Sequence, residues 1–199
     1  MKVLENAEKL LPLGYLFLVI LGIIKESVFY YQIGINILKY SSIMDILISP
    51  IADLASRPFI ILILFSFVLL LYLGIFLLSK NYKKVWVRKF TGIKKPLEEL
   101  TEEGIKVHFQ RILILMLANI LISFFLGLGI GGGGKVAEKI AAKNIKYESS
   151  IAYNSSNEVK EIYLIGSNSL NYFYMEKGNN NIKITPVSSV KMIEFKKNN

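Results

Sequence analysis

The sequence predicts an α-helical membrane protein, with about three transmembrane helices and an interfacial amphipathic helix, carrying a small C-terminal all-β meander or open-barrel domain. Three observations predict it. Uncharged apolar stretches run from Leu10 to Ile24, Pro58 to Ser79 and Ile112 to Gly134, and the segments between them hold nearly all the charge. The second and third meet the roughly 20 apolar residues that a helix rising about 1.5 Å per residue needs to cross a hydrocarbon core. Beyond Gly134 the composition turns to alternating, Asn- and Ser-rich sequence, which divides the chain into a transmembrane helical domain, 1–134, and an extramembrane domain, 135–199. A soluble fold would need a buried central helix twice over in 199 residues.

The first stretch is short and meets Lys25 and Glu26 at once. Leu10 to Tyr31 spans if it tolerates both charges, which are costly at depth. Alternatively the span begins nearer Leu4 and both charges emerge at the far interface. Being adjacent, they project in different directions and are not expected to pair simply with each other. A secretory signal is the competing reading, since Lys2 and Lys9 precede the apolar run, but no small-residue cleavage site follows.

Between the first two spans, Ser42, Asp45, Ser49, Asp53 and Ser56 recur at intervals of three and four, with Ile43, Ile46, Leu47, Ile51 and Leu54 on the other faces. This is an amphipathic helix, opened by Ser42 and Asp45 as a capping box and kinked at Pro50. It lies on the outer leaflet with its polar face in water, or, in a ring of subunits, Asp45 and Asp53 repeat as acidic rings that concentrate cations.

Tyr82 to Lys95 carries six Lys or Arg residues interleaved with Tyr82, Trp86 and Phe90. Basic residues near span ends stay cytoplasmic and amphipathic rings settle among headgroups. Lys83, Lys84, Trp86, Arg88 and Lys89 therefore read as a loop facing anionic lipid. The N-terminus and the 80–111 loop are placed in the cytoplasm and the C-terminal domain outside, because the Lys and Arg near the spans number about eleven on the inner side against about six on the outer. Lys135, Lys139, Lys143 and Lys146 pull the other way. The formal charge of +9 is thus assigned to lipid and not to nucleic acid, for which so short a loop offers no folded basic surface.

In the third span Asn119, Ser123, Gly127 and Gly131 fall at four-residue spacing, a small and partly polar stripe on one face. It fits close packing on another span, a homo-oligomer seam, or a pore lining. The run Gly129 to Lys135 lacks the Ser or Thr that a phosphate-binding loop needs after its lysine, since Val136 stands there. It reads as a flexible exit from the bilayer, followed by a short helix over Val136 to Lys143. Strands are expected at Ile145 to Tyr153, Val159 to Ile165, Leu170 to Glu176, Ile182 to Val187 and Val190 to Phe195, divided by Asn- and Gly-rich turns. Ile162, Leu164, Tyr172, Tyr174, Ile184 and Ile193 are their expected core. So small a core favours edge pairing with another copy or docking on the membrane domain.

Cysteine is absent, which excludes disulfides and thiolate chemistry, and His108 is the single histidine. No nucleophile, acid–base pair or metal cluster stands at recognisable spacing, so a non-enzymatic protein without cofactor or metal is expected. The segment Tyr30 to Pro50, with Gly34-Ile35, Tyr40, Asp45 and Leu47, and the segment Tyr163-Leu164-Ile165-Gly166-Ser167 followed by Ile184-Thr185-Pro186, together about a quarter of the chain, carry a resemblance. They resemble a pattern in small uncharacterised bacterial multi-pass membrane proteins with a C-terminal β-rich module. The resemblance implies bacterial origin and the same layout, without an activity. The sequence is read as an oligomeric inner-membrane scaffold or sensor whose β domain contacts a protein partner. The rival is an oligomeric ion channel or membrane-permeabilising effector of bacterial defence or competition.

Overall fold

A computed structural model of the chain describes residues 2–94, 96, 99–156 and 158–196, with side chains from Leu11 onward. Among these residues five helices, α1 (Lys2–Tyr31), α2 (Ile43–Ser56), α3 (Pro58–Lys80), α4 (Val85–Thr91) and α5 (Glu102–Ala141), precede five strands. The strands are β1 (Ser149–Tyr153), β2 (Val159–Ser167), β3 (Asn171–Glu176), β4 (Ile182–Pro186) and β5 (Val190–Phe195). Leu11–Tyr31 of α1, all of α3, and α5 are long and apolar enough to cross a membrane, with mean hydropathies of 1.8, 3.0 and 2.5. Their apolar side chains stay largely uncovered: only 6 % of the most apolar window of α3 is buried by protein.

The chain forms two compact units, one of residues 52–124 and one joining residues 1–51 to 125–199. In the first, α3 opens with Pro58, whose missing N–H costs nothing in a first helical turn. The backbone N–H and the side-chain amide of its C-terminal Asn81 both return to the Leu77 carbonyl, at 3.2 and 2.9 Å. The short α4 stops at Gly92, where φ of 72° is a left-handed cap that glycine takes without strain. Thr101 caps α5, its hydroxyl accepting the Gly104 amide at 3.1 Å, while Glu102 and Glu103 face the positive end of the dipole. Val87 is fully buried among Ile75, Ile105 and Phe109, so one valine seats α4 between the flanking helices.

In the second unit α5 continues unbroken through its glycines to Ala141. This corrects the flexible exit and the separate short helix expected at Val136 to Lys143. The reason is tertiary packing. A Cβ on Gly129 would lie 2.7 Å from the Lys25 carbonyl, one on Gly132 would lie 3.1 Å from the Phe29 ring, and one on Gly133 would collide with the Phe29 backbone. Glycines that weaken a helix in isolation here let two backbones touch. Lys25 and Phe29 of α1 and Gln32 in the turn after it meet Gly129, Gly132 and Gly134 of α5 in the same order, so the two helices run parallel.

The strands form one antiparallel open sheet in the order β4-β3-β2-β1-β5. Four follow as a meander and the fifth returns to the far edge. Between β4 and β5 lies only the 3₁₀ turn Val187–Ser189. A flat sheet would separate these edges by about 19 Å, whereas four Cα steps reach at most about 15 Å. The sheet must therefore curl until its edges approach at that end, and the bond from the Asn154 amide to the Ser189 carbonyl, 3.1 Å, ties the turn to β1. One face gathers Ile151, Ile162 and Tyr174, fully buried, with Leu164, Tyr172 and Ile193 around them. Ile184 lies on the other face with Phe173, packed on Tyr30 and Ile37.

Candidate functional site

The residues that sequence reasoning singled out converge in part on one junction, where the end of α1, the start of α2, the glycine-rich part of α5 and one end of the sheet meet. Its floor is a helix crossing. Pro50 has no N–H to offer the Ile46 carbonyl one turn earlier, and that carbonyl rests against Gly22, where any Cβ would collide with it. α2 runs from Ile43 to Ser56 with Pro50 inside it.

Above this crossing lies a charged cluster. Lys25 and Glu26 do pair with each other, Nζ to Oε1 at 2.6 Å, which corrects the expectation that adjacent positions would keep them apart. A lysine side chain is long enough to wrap back along the helix, and Ser49 of α2 completes the set. Its hydroxyl donates to Glu26 and receives the Lys25 ammonium at 3.0 Å. Ser49, expected to face water, thus turns onto α1. Both charged side chains are about 15 % exposed, so the cluster is sheltered and balanced.

Gln32, which carries no sequence signal of its own, closes the α1–α5 seam. Its amide nitrogen lies 3.1 Å from the carbonyls of Gly129 and Ile130 and 3.2 Å from that of Val28. Gly127 and Gly131, by contrast, have nothing within 4 Å of a built Cβ, Ser123 is exposed, and Asn119 turns its amide onto the Leu115 carbonyl of its own helix at 2.8 Å. The stripe of Asn119, Gly127 and Gly131 is therefore not the one that packs on α1.

The sheet is fastened by an aromatic plug and a polar clamp. Tyr30 lies 5.0 Å from the Phe173 ring, and Gly166 leaves room for its hydroxyl, since a Cβ there would lie 2.5 Å away. Phe173 also meets Tyr40 edge-on at 6.4 Å. Asp45 forms the expected capping box with Ser42, its carboxylate accepting the Ser42 amide at 2.9 Å while the Ser42 hydroxyl accepts the Asp45 amide at 3.1 Å. The same carboxylate accepts the amide and hydroxyl of Ser169 in the β2–β3 turn, at 3.0 and 2.9 Å. Partial burial raises the Asp45 carboxyl, but its hydrogen bonds outweigh this and hold it below the usual aspartate range. Asn168 and Asn171 each donate to the Tyr40 carbonyl at 3.0 Å. Of the acidic stripe, Asp45 is thus engaged by protein, and Asp53 lies in the other unit.

On the opposite face of the sheet, Tyr174 bonds to Tyr153 and, at 2.9 Å, to Thr185. Glu176 accepts Tyr153 at 3.0 Å and pairs with Lys183 at 2.7 Å. Its burial raises the carboxyl, and Lys183 and Tyr153 bring it below the usual range; burial also pushes the Tyr153 phenol up. Every member is satisfied within the network. Glu161, about a third exposed, is held down at about 2 by Lys177 and Lys196.

The basic loop residues belong to the other unit. Trp86 is exposed on α4, Lys83 places its ammonium 5.9 Å from the Tyr82 ring, and the His108 ring nitrogen lies 2.9 Å from the Thr91 carbonyl. Among the described residues no three His, Asp or Glu side chains gather as metal ligands. Compared with family models, curated proteins and solved structures, the chain has no match.

Proposed function

We propose that this chain is an integral membrane protein of three crossings that acts without catalysis, as an oligomeric scaffold or sensor whose β domain meets a protein partner. The observation that carries the reading is the clamp. Through Asp45, Asn168 and the Tyr30 plug, the β2–β3 turn is fastened to α1 and α2, so a partner that moved the sheet would move the helix pair. Parallel helices that both cross require one crossing between them, and α3 has the length and apolarity for it. The sheet and the loop after α1 then share one side, taken as the outer side of the inner membrane, and the basic 80–111 loop lies in the cytoplasm. A contact surface is available on the edge strand β5, where Met192 and Phe195 stay exposed.

Assembly is supported by the open stripe of Asn119, Gly127 and Gly131, which offers a second copy the close approach that small residues permit. Native mass measurement in nanodiscs tests it: an oligomer weakened by Gly127→Leu supports the proposal, and a strict monomer refutes it. The stripe favours one second reading, an oligomeric pore. Ion flux into proteoliposomes abolished by Asn119→Leu would establish the pore, and an oligomer without flux would discard it.

A further inference from the structure

Within the unit of residues 52–124, α3, α4 and α5 enclose an apolar cleft of about 440 Å³, bounded by Gly74, Ile75 and Leu78 of α3, Phe90 of α4, and Leu115 and Met116 of α5. Sequence alone marked only a basic loop in this region. Gly74 leaves its α3 wall open, with nothing within 4 Å of a built Cβ, and Phe90 and Leu115 are exposed at its margins. In an aqueous globule such a gap would be a packing fault. Between two helices in lipid it is the size and character of an acyl-chain seat.

The lining itself carries no charge, but basic residues neighbour it in sequence at one end. Arg111 precedes Leu115 by one helical turn and so lies on the cleft face of α5, nearer the basic end. Lys89 directly precedes Phe90, which bounds the cleft from α4. Glu102 and Glu103, in the first turn of α5, stand two turns or more before Arg111, while Glu99, in the segment before α5, lines a separate pocket with Lys94 and His108. The floor at this end is fixed, because Val87 is buried beneath α4 and the His108 ring joins α5 to the Thr91 carbonyl.

We infer that this cleft is a binding site for one acidic glycerophospholipid, an acyl chain lying between α3 and α5 and the phosphate held by Arg111 and Lys89. Charge complementarity selects this occupant over a zwitterionic lipid or a second copy of the chain, because the cleft is apolar where a tail would lie and cationic where a headgroup would sit. A guanidinium suits phosphate through its forked donors. This rests on the proposal that α3 and α5 cross the bilayer, and it adds a defined seat to what would otherwise be diffuse attraction of a basic loop.

Trp86, the single tryptophan of the chain, lies one turn before Phe90 on the same face of α4, and is a built-in reporter. The full chain is reconstituted in vesicles that contain either phosphatidylglycerol or phosphatidylcholine with brominated acyl chains at equal mole fraction, and quenching of Trp86 is read. The acidic lipid is expected to associate more strongly, by roughly fivefold for each basic group engaged. Arg111→Gln should remove about one such factor and Arg111→Lys restore most of it. Gly74→Leu should fill the cleft and abolish the preference without changing quenching by phosphatidylcholine. Lys83→Gln should leave the preference intact. Equal quenching by the two lipids overturns the inference, as does a preference that survives Gly74→Leu or falls as much with Lys83→Gln as with Arg111→Gln. Absence of quenching by either lipid would instead overturn the membrane-spanning proposal beneath it.

Discussion

The α1–α5 seam makes a prediction in which two glycines two residues apart behave oppositely. A methyl group added at Gly129 would lie 2.7 Å from the Lys25 carbonyl, and ordinary van der Waals contact begins at 3.4 Å, so the helices must separate by 0.7 Å. That displacement would stretch the 3.1 Å bond from Gln32 to the Gly129 carbonyl beyond hydrogen-bonding length. Overpacking of this kind costs about 1–3 kcal/mol, and a lost hydrogen bond about 1 kcal/mol more. Against this, alanine gains about 0.5–1 kcal/mol over glycine inside a helix. Gly129→Ala is therefore expected to destabilise by about 2 kcal/mol. Gly131→Ala, with open space at its Cβ within one chain, has only the gain in the monomer and should stabilise that form by up to about 1 kcal/mol. Unfolding of both variants in dilute detergent, followed by circular dichroism, reads the difference. Two variants that shift stability in the same direction would refute the seam.

The junction can be perturbed at three other points. Glu26→Ala, which takes the carboxylate away from the Lys25 ammonium 2.6 Å distant, should cost about 3 kcal/mol, whereas replacing both by Met and Leu should leave stability within about 1 kcal/mol; detergent unfolding midpoints compare them. Asp45→Ala should cost about 1–2 kcal/mol after allowance for solvent screening, and speed hydrogen exchange at Ser169 and Leu170 while β1 and β5 stay protected. Because the folded Asp45 carboxyl lies below its unfolded value, the clamp is at full strength above about pH 4 and is lost as pH falls through the folded value; exchange at Ser169 should rise over that acid window in the wild type and not in Asp45→Ala. Tyr30→Ala should leave a void under Phe173 worth about 3 kcal/mol and expose β3 to exchange, with protection of Val87 in the other unit unchanged.

The helices and strands were legible because each carries its own local signal: uncharged runs of span length, a capping box at Ser42 and Asp45, and turn-forming residues between alternating segments. Strand ends moved by a few residues, as with Ile145 to Glu148, which lie before the first paired position at Ser149. What could not be read locally was which partner each face meets. The glycines from Gly129 onward looked like an exit because helix propensity counts them as breakers, yet Phe29 and Gln32, about a hundred residues earlier, hold them helical. The stripe through Asn119 and Gly131 and the seam through Gly129 and Gly133 are equally small-residue faces of one helix, and only the companion helix distinguishes them. Asn168 and Ser169 looked like ordinary turn formers, since their second set of partners, Tyr40 and Asp45, lies far away in the chain. The burial of Phe173 was likewise hidden, because every other residue of its strand could have faced either way until α1 was known to cover one side.

The adjacency of Lys25 and Glu26 matters for the order in which the protein is made. If α1 crosses a bilayer as proposed, it must wait for α2, α5 and the sheet to be synthesised before any of them can shelter its polar groups. Two opposite charges that join within a single turn cancel from the moment that turn exists, so such a helix would arrive already neutral there. Ser49 then needs only to refine a pair that is in place, and the late-made strands dock on a segment that has been resident throughout.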